Sequence, residues 1–260
     1  MSQLSVYKEA ELLAEGQRKS LELGDAPIKD IFALLEGQGI FVVRMPMESD
    51  SLSGAFYYDK ETATARILVN NNRTPGHQRF TAAHEFCHFL LDKENYPEII
   101  EEDKGEKPLF EKRADSFAAN FLMPKNGVDF YVRQVLKKKT SRLEDLDIVK
   151  IKYEYGSSWS FTVYRLHDLG YTFDKPYSEK VKDSKHFNFL AGTMNFEPEW
   201  PQGKEGIMLP ADYYRLAFNA YFKDKISLNR LAEILRVSYD DAKDWVAEIR
   251  QSLKDDGGSK

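Results

Sequence analysis

The sequence predicts an α+β fold, a small three-stranded sheet packed on helices and followed by a helical C-terminal extension. Three observations lead there. Short β-rich runs bounded by turn residues cluster at residues 40–45, 54–58 and 66–69. Two apolar helical periods follow at 75–91 and 109–122. Residues 210–253 then carry helical periodicity again.

Taken in order, residues 4–23 place Leu4, Leu12, Leu13, Leu21 and Leu23 among charged residues, the pattern of an amphipathic accessory helix. A second helix fits 27–36, with Asp25 near its start, Pro27 in its first turn, and Gly37 and Gly39 behind it. The three strands come next, separated by segments holding Pro46, Ser49, Asp50, Asp59 and Lys60. Thr74 before Pro75 is an N-cap and first-turn pair, so a helix runs from there to Leu91. Phe80, Ala82, Ala83, Phe86, Cys87, Phe89, Leu90 and Leu91 cover nearly all of its faces, which marks a helix buried in a core. An acidic, proline-containing connection spans 92–108, and Pro124 ends the helix over 109–122. Further helices are expected at 128–138, 144–155 and 158–169, with Gly156 and Gly170 as stops. Residues 171–206 read as irregular. The predicted organisation is therefore a domain over 1–170, a connection over 171–206 and a helical unit over 207–260.

Composition narrows the function classes. Lys and Arg total 37 against 42 Asp and Glu, a net charge of −5, too weak a field to suggest nucleic acid or anionic lipid as a general partner. Cys87 is the one cysteine, so no intrachain disulfide forms. The opening residues lack the apolar core of a signal peptide and no run approaches a membrane span, so the expected compartment is the cytosol.

The chemistry is concentrated in His84-Glu85-Phe86-Cys87-His88. On a helix, histidines at i and i+4 project from one face and can reach one ion, while the glutamate between them serves as general base. Without an ion, a carboxylate buried between two imidazoles would be costly. A catalytic zinc needs three protein ligands and an open position. The extension that supplies a third histidine fails here, because Leu91 and Glu94 stand where Gly and His are required. The remaining solution is a carboxylate from a neighbouring helix: Glu111 as ligand, with Asp115 one turn later accepting the free ring N–H of one histidine. An ordinary exposed acidic pair flanked by Lys112 and Arg113 is the competing reading of those two residues. Zn2+ so held would lower the pKa of water to about 7, with Glu85 taking the proton and passing it to the leaving amine. Tyr131, Tyr153, Tyr164, Arg165 and His167 are candidates for a second electrophile, and the choice among them stays open. Cys87 reads as a small buried filler, and His77 and His186 as ordinary histidines.

The run Arg79-Phe80-Thr81-Ala82-Ala83 before His84-Glu85-Phe86-Cys87-His88, with Glu111-x-x-Ala114-Asp115-x-Phe117-Ala118-Ala119-x-x-Leu122-Met123-Pro124 after it, closely resembles the ImmA/IrrE family of metallo-endopeptidases. The strand Ile67-Leu68-Val69-Asn70 and the stretch from Tyr155-Gly156-Ser157-Ser158 to Gly170 are similar to that family too, so the likeness spans about residues 27–170. It implies a gluzincin-like core with zinc on His84, His88 and Glu111 and catalysis by Glu85. It further implies a protein substrate, in many members a helix-turn-helix repressor, and in others a toxin-antitoxin-like pairing with such a regulator. The chain departs from common forms in lacking an N-terminal helix-turn-helix and in having Asp115 where asparagine is frequent.

Two other functions compete. Residues 227–246 have the rhythm of a helix-turn-helix, with Ser238 and Asp241 as a capping box. Its reading helix would carry Asp240, Asp241, Asp244 and Glu248 against Lys243 and Arg250, a poor surface for phosphates, so direct DNA binding is not expected. Alternatively, the protein is a regulatory binding partner whose metal site is latent. An extended substrate would pair with one free sheet edge, along 54–58 or 66–69.

Overall fold

The computed structural model describes residues 3–49, 51–93, 107–197 and 206–257. These form an α+β structure with one mixed sheet. Strands β1 (Ile40–Met45), β2 (Gly54–Asp59) and β3 (Thr64–Asn70) lie in the order β1-β3-β2, with β1 parallel and β2 antiparallel to the central β3. The register sets Val42, Ile67 and Phe56 side by side on the buried face. The period of two makes that row apolar, and it closes against α3 (Pro75–Leu91). Of the two strands proposed as a substrate edge, residues 66–69 belong to β3 and are paired on both sides, so β2 keeps the outer edge.

Helix α1 (Gln3–Ser20) packs along α4 (Leu109–Leu122) through Ala10 and Ala14, both fully buried. Arg18 closes this junction by donating to the carbonyls of Phe121, Ala26 and Gly24. Helix α2 is shorter than the sequence suggests, Ile31–Glu36 rather than 27–36. Its cap is Asp30, not Asp25, because the Asp30 carboxylate accepts from both Phe32 N and Ala33 N. The start of α3 is as expected, with Thr74 accepting from His77 N and proline in the first turn. Helices α3 and α4 meet through Phe86, whose ring lies 5.9 Å from Phe117 and 5.7 Å from Phe121.

Beyond α4 the chain forms α5 (Lys125–Phe130), which passes into a π-helical turn at Tyr131–Val135, three residues earlier at each end than the helix expected over 128–138. Pro124 is its N-cap, and the chain leaves helical geometry at Lys137 with φ +57°. Helix α6 (Asp145–Tyr155) begins on a reciprocal Glu144–Asp147 capping box and stops at Gly156 in the left-handed region, φ +58°. Helix α7 (Trp159–Asp168) is capped by Ser158. The segment expected to be irregular is partly helical: α8 (Tyr177–Lys180) and α9 (Ser184–Thr193) fold onto α6 and α7 because Phe187 and Ala191 are buried there and Trp159 stacks on Phe187. Of the acidic connection over 92–108, residues 94–106 lie outside the described residues.

The chain divides into two compact units, residues 1–206 and 207–260. In the second, α10 (Ala211–Phe222), α11 (Leu228–Leu235) and α12 (Tyr239–Gly257) enclose their own cluster of Ala217, Leu231, Leu235 and Val246. The turn between α11 and α12 places Arg236 at φ +55°. Ser238 and Asp241 cap α12 reciprocally, Asp241 N donating to Ser238 Oγ at 3.0 Å and Ser238 N to Asp241 Oδ2 at 3.3 Å. Among the described residues no helix is long and apolar enough to cross a membrane.

Candidate metal centre

Helix periodicity puts His84 and His88 on one face of α3, and the α3–α4 packing brings Glu111, in the first turn of α4, across from them. His84 Nε2 lies 3.2 Å from His88 Nε2 and 3.0 Å from Glu111 Oε2, and His88 Nε2 lies 3.4 Å from Glu111 Oε1. Ligands about 2.0–2.1 Å from a tetrahedral ion are separated by about 3.3 Å, so the triangle has the dimensions zinc requires. Two imidazole nitrogens facing one another at 3.2 Å, both in reach of a carboxylate, also need a cation or shared protons between them to be stable. Among the described residues, these three form the one cluster of this composition suited to an ion.

Each imidazole is oriented from behind. His84 Nδ1 is 2.9 Å from Asp115 Oδ1, as the i,i+4 spacing of Glu111 and Asp115 predicts. His88 Nδ1 is 2.8 Å from Asp92 Oδ2. Donation from each Nδ1–H to its carboxylate leaves each Nε2 lone pair directed at the centre of the triangle. Asp92 is the residue sequence reasoning missed. It reads there as the start of an acidic connection, although its position four residues after His88, one helical turn on, was an available signal.

Glu85 leaves α3 on the side toward β2. It is 4 % exposed, and its Oε2 is buried without a hydrogen-bond partner. Gly54 makes the room for it: a Cβ at that position would stand 2.3 Å from Thr81 Cγ2 and 3.3 Å from Glu85 Oε1. Burial is the main cause that raises the Glu85 carboxyl above its ordinary range, against the pull of His84 and His88. Burial also works against charge on His84, but the hydrogen bonds it donates to Asp115 and Glu111 together outweigh it and lift the imidazole to about 9. Glu111 moves the opposite way: burial opposes its charge, yet the two histidines hold it far below the usual carboxylate range. The protein has thus gathered a set of donors that is electrostatically satisfied by positive charge at its centre.

The other expectations resolve individually. Cys87 is fully buried and burial pushes its thiol to about 12, which makes it an inert packing residue. Arg165 is committed to Met123 O at 3.0 Å and Asn120 Oδ1 at 2.8 Å. Tyr153 stacks on Phe196 with its hydroxyl 2.5 Å from Glu197 O, and His167 stacks against Tyr177. Tyr131 is half-buried against the main core, and Tyr164 is half-exposed at a groove of about 790 Å³ that borders Asp115. That groove is also walled by His77 and Phe80 of α3 and Phe161 of α7. It lies on the same face of α3 as the metal ligands, since residues 77 and 84 are seven apart.

Residues 35–167 match the IrrE N-terminal-like domain, Peptidase_M78. The match takes in just over half of the chain, from α2 to α7, and contains every residue of the triangle. No curated protein matches the chain.

Proposed function

The chain belongs to the IrrE N-terminal-like peptidase family, Peptidase_M78, and on that premise we propose that it is a zinc-dependent endopeptidase. The observation that carries this reading is the triangle of His84, His88 and Glu111 with the unpartnered Glu85 Oε2 beside it. His84 and His88 through Nε2 and Glu111 through its carboxylate would hold the ion. When bound, zinc supplies Lewis acidity that eases deprotonation of water and polarises a peptide carbonyl.

The chain's own residues do the rest. Glu85 takes the proton from the attacking water on its free Oε2 and delivers it to the departing amine nitrogen, so one carboxylate serves as base and then as acid. Its burial favours that shuttle, because a carboxyl pushed above its ordinary range gives the proton up less completely to solvent. Asp115 keeps His84 in one tautomer and orientation. The groove bordering Asp115 has the volume for several residues of a polypeptide, and the outer edge of β2 offers backbone pairing to an extended segment. The substrate we propose is a protein, specifically a helix-turn-helix repressor of the kind the resemblance to ImmA/IrrE implies.

The test is the metal content of wild type, Glu111→Ala and Glu85→Gln, each then incubated with a candidate repressor. One equivalent of zinc in wild type, weaker retention in Glu111→Ala, and full retention without cleavage in Glu85→Gln would support the reading. A wild-type protein that takes up no metal from a zinc-containing buffer would sink it.

A further inference from the structure

The two histidines of the triangle are backed alike, each by a carboxylate whose second oxygen is held by a cation. For His84 the chain runs to Asp115 and on to Lys107, whose Nζ is 2.6 Å from Asp115 Oδ2. For His88 it runs to Asp92 Oδ2 and, through Asp92 Oδ1, to Arg113 Nη2 at 2.6 Å. The two cations differ in setting. Lys107 is 45 % exposed in its side chain, a mobile point charge in water, whereas Arg113 is 14 % exposed and comes from α4. Arg113 Nη1 is in turn 3.9 Å from Glu9 Oε2 on α1. Helix α1 lies outside residues 35–167, which match the family.

We infer that Asp92 and Arg113 are positioning residues for the metal centre, and that α1 braces them through Glu9. This rests on the peptidase reading only in requiring that the triangle hold an ion. Asp92 stands at the C-cap of α3, beyond the last helical residue, where a short carboxylate has rotational freedom that a mid-helix residue lacks. Arg113 removes it. With one oxygen occupied by the guanidinium, the other is presented to His88 Nδ1, the ring proton stays there, and Nε2 is available to the metal without a tautomer change. Glu9 acts on Arg113 more loosely, as an ion-pair charge 3.9 Å away and not as a hydrogen-bond partner. Its charge opposes the cost of holding a guanidinium at the α1–α4 seam, where the helices already touch closely through Ala10 and Ala14.

The experiment is a zinc competition titration against a chromophoric chelator for full-length wild type, Asp92→Asn, Arg113→Met, Arg113→Lys, Glu9→Gln and the Asp92→Asn/Arg113→Met double variant. Circular dichroism and thermal unfolding of each metal-free protein control for folding. Asp92→Asn should bind zinc about 10- to 100-fold more weakly, because the buried Arg113 would claim its one oxygen and turn the amide NH2 toward His88 Nδ1, whereas the exposed Lys107 beside Asp115 imposes no such choice. Arg113→Met should lose similarly, and Glu9→Gln a few-fold. Arg113→Lys should recover part of the loss, because an ammonium can hold Asp92 but lacks the fork that also reaches Glu9. The double variant should lose little more than either single one, since both changes break one relay, whereas independent structural damage would multiply. The visible spectrum of the cobalt-loaded protein should change in Asp92→Asn and Arg113→Met alike, as a weaker His88 donor alters the ligand field. Wild-type affinity and spectrum in Arg113→Met, or losses that multiply in the double variant, would overturn the relay while leaving the peptidase reading intact. Absence of metal binding by wild type would overturn both.

Discussion

Gly54 at the start of β2 and Glu85 on α3 touch so closely that a single added methyl group would lie 3.3 Å from the carboxylate oxygen, 2.3 Å from Thr81 Cγ2 and 2.8 Å from the Leu68 carbonyl. The Leu68 contact is backbone and cannot yield by rotating a bond. Gly54→Ala should therefore push β2 away from α3, lowering stability by about 1–3 kcal/mol as overpacking does. It should also reduce peptide cleavage while leaving zinc uptake near wild type, because His84, His88 and Glu111 do not depend on β2. Urea titration, metal analysis and a cleavage assay on one preparation check all three. Loss of zinc together with activity would mean that the sheet, and not only Glu85, positions the ligands.

Asp115 separates charge from hydrogen bonding at His84. Asp115→Ala removes the acceptor for Nδ1–H and should weaken zinc binding about 10- to 100-fold. Asp115→Asn keeps an oxygen at that place without the charge, so most of the affinity should return. Competition titration distinguishes them, and equal losses in both variants would show that charge is what matters.

Lys180 gives a prediction at high pH. Its side chain is 3 % exposed and bonded to Asp145 and to Asp174, the latter at 2.5 Å. Burial lowers its pKa, but the two carboxylates prevail and raise it above 10.5. A folded-state pKa above the unfolded one means that the stabilisation is complete below about pH 10.5 and fades as pH climbs through the raised value. Lys180→Met should cost about 1–3 kcal/mol at pH 8, and the gap between variant and wild type should narrow by pH 11. Urea unfolding at the two pH values measures it. A gap independent of pH would show that Lys180 contributes through packing alone.

The second unit has the turn and cap of a helix-turn-helix, yet the first turns of α12 expose Asp240, Asp241 and Asp244, with Lys243 as the cation among them. Duplex DNA should show no saturable anisotropy change with this protein even at low salt, where phosphate contacts are strongest. A binding curve that weakens steeply with added salt would contradict that expectation.

What the sequence by itself determined is the local chemistry of the site. His84 and His88 share a helix face because they are four residues apart. Glu111 and Asp115 share another for the same reason, and Thr74 with Pro75 fixes where the first of those helices begins. The β-rich runs at 40–45, 54–58 and 66–69 likewise marked the three strands. These are short-range relations with a fixed period, and a period is visible in one dimension. Residues 27–30, 177–180 and 184–193 were misread where one or two side chains decided the local outcome, the Asp30 cap in the first case and burial of Phe187 and Ala191 in the last.

Only the tertiary structure decided which carboxylate backs His88, that Arg113 reaches Asp92 across 21 residues of sequence, and that Glu9 joins them from a helix at the opposite end of the domain sequence. It also decided that β3 is central, which leaves β2 at an edge of the sheet, and that Gly54 is the residue making space for Glu85. Each depends on how elements pack and in what strand order, and packing is set by the shapes of many side chains at once. No spacing along the chain encodes it.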